Sequence, residues 1–192
     1  MLQLAEIFYS LQGEGSHAGT PAVFVRLAGC NLACDFCDTD YSLKFIASVD
    51  EVVARVRELG EDCPMVVITG GEPFAQSETL ALIAALRAAG RRVHVESNGT
   101  IAVDRELPPD VWLTVSPKER LDSGMAKRAN EAKLIVDRRV PREWAERFAG
   151  TPIFLQPEGN KPENIALAVE AAKAEPALFR LSLQTHKFIG IR

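Results

Sequence analysis

The chain contains no apolar run approaching the roughly 18 residues that a membrane-spanning helix requires, which excludes such a helix. It also lacks a basic excess: 22 lysines and arginines against 26 aspartates and glutamates leave a formal net charge of −4. Its basic runs are short, as at Arg91-Arg92 and Arg138-Arg139, so no nucleic-acid footprint is expected. The opening MLQLAEIFYSLQGEG has no basic stretch followed by an apolar core, and no secretory signal is read there. A cytoplasmic location is therefore expected, which leaves the glycosylation pattern at Asn98-Gly99-Thr100 idle. No linker, repeat or low-complexity segment interrupts the 192 residues, so one domain over 1–192 with a real core is anticipated. Cysteine is scarce, four in all, and in a reducing compartment clustered thiols bind metal or do chemistry rather than pair.

What the sequence does contain is an alternation of β-rich runs and helical patterns. PAVFVRLAG (21–29) reads as a first strand, SVDEVVARVRELG (48–60) as a helix opened by a Ser48–Glu51 capping box, and MVVIT (65–69) as a buried strand. SETLALIAALRAAG (77–90) reads as a helix ended by Gly90, with strands at 92–96, 112–116, 132–136 and 152–156. A helix over 162–174 and a strand near 178–184 complete the pattern. Such alternation predicts an α/β fold with a mostly parallel sheet and right-handed crossovers. A complete eightfold barrel takes about 250 residues, so a shortened, partial (βα)6-type barrel is expected, with its active site at the carboxyl ends of the strands.

Three of the four cysteines lie within GCNLACDFCDT (29–39), as Cys30, Cys34 and Cys37. Two readings stand. One is a zinc-stapled interaction module with Cys63, His17 or His94 as fourth ligand. The other is a 4Fe–4S cluster on three thiolates with one iron open to another ligand. Cys63, alone in EDCPM, needs no role beyond that of a small buried hydrophobe. A second motif, ITGGEP (68–73), follows a strand; its glycines admit a ligand close to the backbone, and Glu72 can accept from an ammonium group.

The two motifs together, with Phe36 ahead of the third cysteine, resemble the radical S-adenosylmethionine superfamily. That resemblance implies that S-adenosylmethionine supplies the missing ligand to the fourth iron and, on one-electron reduction, a 5′-deoxyadenosyl radical. Within the superfamily, EIFYSLQGEGSHAGTPAVFVRLAGC, the CDT triplet and the terminal SLQTHKFIGIR resemble the family of 7-carboxy-7-deazaguanine synthases over the whole chain. The implied activity is a carbon–nitrogen lyase reaction: 6-carboxy-5,6,7,8-tetrahydropterin is ring-contracted with loss of ammonia, towards queuosine and other deazapurines. A glycyl-radical activating enzyme shares the cysteine spacing, but gives LQGEG and QTHK no task.

The resemblance also implies roles. Leu11, Gln12, Gly13, Arg26, Thr69, His186 and Arg192 would contact substrate, Arg192 through its α-carboxylate. Phe36, Gly71, Glu72, Ser116-Pro117-Lys118 and Gln156-Pro157-Glu158-Gly159 would contact S-adenosylmethionine, and Thr39 would bind Mg²⁺. Glu14 and Glu96 are candidates for catalysis. Each has a plainer alternative: Thr39 as a turn or cap residue, His186 as structural, Arg26 as the internal partner of Asp35 or Glu14. A reductant such as flavodoxin or ferredoxin and a homodimer are expected from the same likeness.

Overall fold

The computed structural model describes residues Met1 to Arg192. It opens with an element absent from the expected pattern, a ten-residue strand, β1 (Leu2–Leu11). A register shift between Leu4 and Glu6 breaks its period of two, which hid it from a search for alternation. The stretch read as the first strand is therefore the second, β2 (Pro21–Leu27), antiparallel to β1. The cysteine loop follows and leads into β3 (Phe45–Ala47), which pairs with the other edge of β1.

From there the alternation runs largely as expected: α1 (Val49–Leu59), β4 (Met65–Gly70), α2 (Thr79–Ala88), β5 (Arg92–Ser97), β6 (Trp112–Val115), α3 (Ser123–Arg128) and β7 (Glu131–Val136). Then come β8 (Ile153–Pro157), α4 (Pro162–Ala174), β9 (Phe179–Leu181) and α5 (Thr185–Ile189). The capping box of α1 forms as read: Ser48 Oγ accepts from Glu51 N, and the Glu51 carboxylate accepts from Ser48 N. No helix joins β5 to β6, and a 3₁₀ segment, Arg142–Phe148, replaces one between β7 and β8. The helices α3 and α5 were not anticipated; each is six residues or fewer, too short to show a period.

All nine strands form one sheet in the order β3-β1-β2-β4-β5-β6-β7-β8-β9. Every neighbouring pair from β2 to β9 is parallel. The edges β3 and β9 do not meet, so the barrel is partial and open. Successive side chains of a strand face opposite sides, and this sorts the sequence into two faces. Val25, Leu27, Val66, Ile68, Val93, Val95, Leu134 and Val136 point towards the helices and form the main core. The intervening residues line the concave inner face. There the amino-terminal halves of β2 and β4 give an apolar floor, Ala22, Phe24, Met65 and Val67 with Phe8. Two residues further along the same strands stand Arg26 and Thr69. The change from apolar to polar along each strand is what places the site.

Candidate active site

A cavity of about 420 Å³ opens over the carboxyl ends of the parallel strands. Cys30, Cys34 and Cys37 line one side of it as free thiols, while Cys63 lies buried elsewhere, its thiol donating to Pro21 O and Met65 O at 3.4 Å. The cysteine loop is pinned at its base by Gly29 N donating to Tyr41 O, and at its side by Asn98 Nδ2 donating to Asn31 Oδ1 at 2.9 Å. No three His, Cys, Asp or Glu side chains are gathered tightly enough to hold a single ion. A 4Fe–4S cluster makes a different demand, since each thiolate takes its own iron and the three ring a cube. Burial pushes the Cys34 thiol up, and the Lys118 ammonium beside it works in the other direction.

The turn after β4 fits the loop because it is glycine. A Cβ on Gly71 would lie 1.8 Å from Gly29 O and 2.9 Å from Cys30 Cβ. Gly70, at φ +132°, approaches the Leu27 backbone as closely. Glu72 departs from expectation. It is fully buried and outside the cavity lining, and its carboxylate accepts from Phe74 N, Ser97 Oγ and Asn98 N at 2.7–3.1 Å. With three donors already bound it braces the β4 and β5 loops against each other and offers little to a ligand's ammonium group. Pro117 and Pro157 also fall outside the cavity, both buried, Pro157 paired with Val136. Their neighbours Ser116, Lys118, Gln156, Glu158 and Gly159 do line it. Gln156 Oε1 is buried without a partner, an acceptor awaiting a donor. Burial, with Lys133 near, pushes Lys118 down to about 8.

The inner face carries the charges. Arg26 is paired, though with neither Asp35 nor Glu14: its Nε donates to Glu6 Oε1 at 2.7 Å across the β1–β2 register. Its terminal nitrogens make no hydrogen bond within the chain, and the residue lines the cavity. The other Glu6 oxygen takes Arg192 Nη2 at 2.5 Å, and both guanidinium groups lie over the Phe8 ring. Further along the sheet, Lys133 on β7 reaches two carboxylates at once, hydrogen-bonded to Glu14 and 3.6 Å from Glu96. Burial opposes the charge of Glu96, but the Lys133 ammonium and hydrogen bonds from Gln12 and Thr69 outweigh it and hold the carboxyl down at about 2. Burial likewise disfavours charge on Lys133; the two carboxylates reverse this and hold it above the usual lysine range. Deeper still, His94 is kept neutral by burial, down to about 4, with Nε2 2.6 Å from Thr114 Oγ1.

The segment after β9 returns to the loop after β1 and closes the open side. Thr185 donates twice to Gly13 O, and a Cβ on Gly13 would strike His186 Nδ1 at 2.1 Å. Gln184 is held by Asn160 and donates to Glu14 Oε1 and Asp38 Oδ2, so it ties the Glu14 loop to the cysteine loop. Leu11, Gln12, Gly13, Phe36, Thr39, His186 and Arg192 all line the same cavity. Lys133, Gln184 and Glu6 were missed in the sequence. A charged residue inside the apolar run AKLIV was the available signal for Lys133, as Arg26 is within PAVFVRLAG.

Comparison with known proteins bears on this arrangement. The Radical SAM superfamily pattern matches residues 24–112, from β2 through the start of β6. The 7-carboxy-7-deazaguanine synthase of Bacteroides thetaiotaomicron is 42% identical over 193 residues, covering 100% of both chains. That of Caulobacter vibrioides is 40% identical, covering 97% of each. Among solved structures, QueE from Escherichia coli superposes with a TM-score of 0.82 at 32% identity, over 96% of this chain and 94% of that one.

Proposed function

The chain belongs to the 7-carboxy-7-deazaguanine synthase family of the radical S-adenosylmethionine superfamily, and from that premise we propose how its residues divide the work. The enzyme is a radical S-adenosylmethionine lyase that forms 7-carboxy-7-deazaguanine from 6-carboxy-5,6,7,8-tetrahydropterin with loss of ammonia. Cys30, Cys34 and Cys37 hold the 4Fe–4S cluster. Gly71, Ser116, Lys118, Gln156, Glu158 and Gly159 would hold S-adenosylmethionine beside it. When bound and given one electron by the reductant, the two would supply a radical able to take a hydrogen atom from carbon.

The remaining residues bind and orient the pterin. Arg26 spends Nε on Glu6 and keeps its planar terminal nitrogens for the substrate carboxylate. Glu14 and Glu96 accept from the ring's N–H and amino groups, and Gln12 and Thr69 fix Glu96 in place. His186 closes over the ring from α5, admitted by the missing side chain at Gly13. Thr39 would anchor Mg²⁺ by one hydroxyl, a weak hold that leaves substrate and water to complete the shell. Its neighbour Asp38 is taken by Lys187 and Gln184, and Asp40 by Ser42 and Lys44, so the ion gains no carboxylate there as the loop stands. A homodimer reduced by flavodoxin or ferredoxin completes the proposal.

The observation that carries this reading is the single cavity that joins the three thiols to Arg26, Glu14 and Glu96. Anaerobic reconstitution should give a brown protein with about four irons per chain, and the loaded protein should bind 6-carboxytetrahydropterin. A loaded protein that ignores the pterin would be a radical enzyme of another kind; a colourless protein holding zinc would be none.

A further inference from the structure

The inner face holds one lysine where two carboxylates meet. Lys133 Nζ touches Glu14 and lies 3.6 Å from Glu96 Oε2, and the lysine side chain is only 10% exposed. Each carboxylate has its other oxygen held by an amide: Gln184 Nε2 at 3.1 Å on Glu14, Gln12 Nε2 at 2.9 Å on Glu96. A carboxylate has about four acceptor directions. Glu14, with two taken, keeps free directions and lines the cavity. All three groups arrive from different elements, the loop after β1, β5 and β7, so nothing local forces them together.

Resting on the pterin reading above, we propose that Lys133 is a positioning and specificity-determining residue. It fixes Glu14 and Glu96 as a pure acceptor pair for the adjacent N–H and amino donors of a guanine-like ring edge. Two carboxylates beside one cavity repel, and without a cation the pair takes up a proton. A protonated member presents an O–H to the ligand's N–H and loses its value as an acceptor. One shared ammonium removes the repulsion: it is hydrogen-bonded to Glu14 and ion-paired with Glu96, whose oxygens Gln12 and Thr69 hold in place. No neighbouring group replaces it. His94 is neutral below the pair, and Glu131 adds a further carboxylate on β7. Lys118 faces Glu14 from the loop after β6 but is hydrogen-bonded to Ser116, and Lys187 on α5 is taken by Asp38 beside His186.

The test uses the anaerobic holoenzyme with S-adenosylmethionine and 7-carboxy-7-deazaguanine as the equilibrium ligand. Affinity is measured between about pH 5.5 and 7.5 for wild type, Lys133→Met and Lys133→Arg. The ratio of wild-type to Lys133→Met affinity cancels titration of the ligand and of the other groups named. That ratio should grow by about tenfold per unit as pH falls, one proton being coupled to binding, and Lys133→Arg should abolish the slope. Should Lys133→Met not load iron, Glu14→Gln/Lys133→Met removes one charge of each sign. The double variant should bind weakly at every pH, with no slope. A pH-independent ratio in Lys133→Met, a slope that survives in Lys133→Arg, or a sloped double variant overturns the assignment. Failure of wild type itself to bind the ligand removes the pterin reading and this inference with it.

Discussion

At the scale of single residues, the chemistry of each side chain is decided by what it touches. Cys63 is buried against two backbone carbonyls, whereas the other three cysteines face the cavity. Alanine at Cys30, Cys34 or Cys37 should therefore abolish iron loading, and Cys63→Ala should leave iron content near normal. Iron analysis after anaerobic reconstitution distinguishes them, and loss of iron on removing Cys63 would contradict the three-thiolate assignment. Arg26 is asked to do two things, pairing with Glu6 through Nε and meeting a substrate carboxylate through its terminal nitrogens. Lysine can do one of these. Arg26→Lys should weaken pterin binding by about ten- to a hundredfold, the worth of one charge-assisted hydrogen bond of roughly 1.5–3 kcal/mol. Titration of the loaded enzyme reads this directly, and wild-type affinity would assign Arg26 to Glu6 alone.

At the scale of elements, the turn after β4 and the loop after β2 form one unit. Glu72 N donates to Gly29 O, Gly71 N to Leu27 O, and the Glu72 carboxylate reaches across to the β5 loop. Gly71→Ala should push the Cys30 side of the loop outward and reduce cluster retention. Most stability should survive, because the core lies on the sheet's other face. Full iron retention in that variant would mean that the cysteine loop tolerates displacement. The elements best read from sequence were those with a strong local period or cap, such as α1 with its Ser48–Glu51 box. β1 was lost to its bulge between Leu4 and Glu6, and α5 to its brevity. In the site, the cysteines, the glycine turn and Arg26 were legible because each breaks a local pattern. The Glu72 brace to the β5 loop and the Lys133–Glu14–Glu96 meeting were not, since Glu72 stands 25 and 26 positions from Ser97 and Asn98, and Lys133 stands 119 from Glu14. Only the order of strands brings such residues together.

At the scale of the whole molecule, the sheet is apolar on its helix side and polar at the mouth of its inner side, and burial of that polar face makes stability depend on pH. His94 is held at about 4 against an ordinary 6.5, so the unfolded chain binds a proton that the folded chain refuses. Stability should fall as pH drops from 6.5 towards 4. Glu96, held at about 2 against 4.5, adds a further loss as pH drops from 4.5 towards 2. Urea unfolding at stepped pH should show both limbs, and His94→Gln should remove the upper one; an unchanged upper limb in that variant would place its origin elsewhere. At the open side of the barrel α5 and the segment before it rest on the loop after β1, and thiols and charges line one cavity. The decisive measurement of whether thiols and charges act on one substrate is anaerobic incubation of the reconstituted protein with 6-carboxytetrahydropterin, S-adenosylmethionine, Mg²⁺ and a reductant, with products read by mass. The expected products are 7-carboxy-7-deazaguanine and one ammonia for each pterin consumed. Cleavage of S-adenosylmethionine with the pterin left intact would contradict this reading.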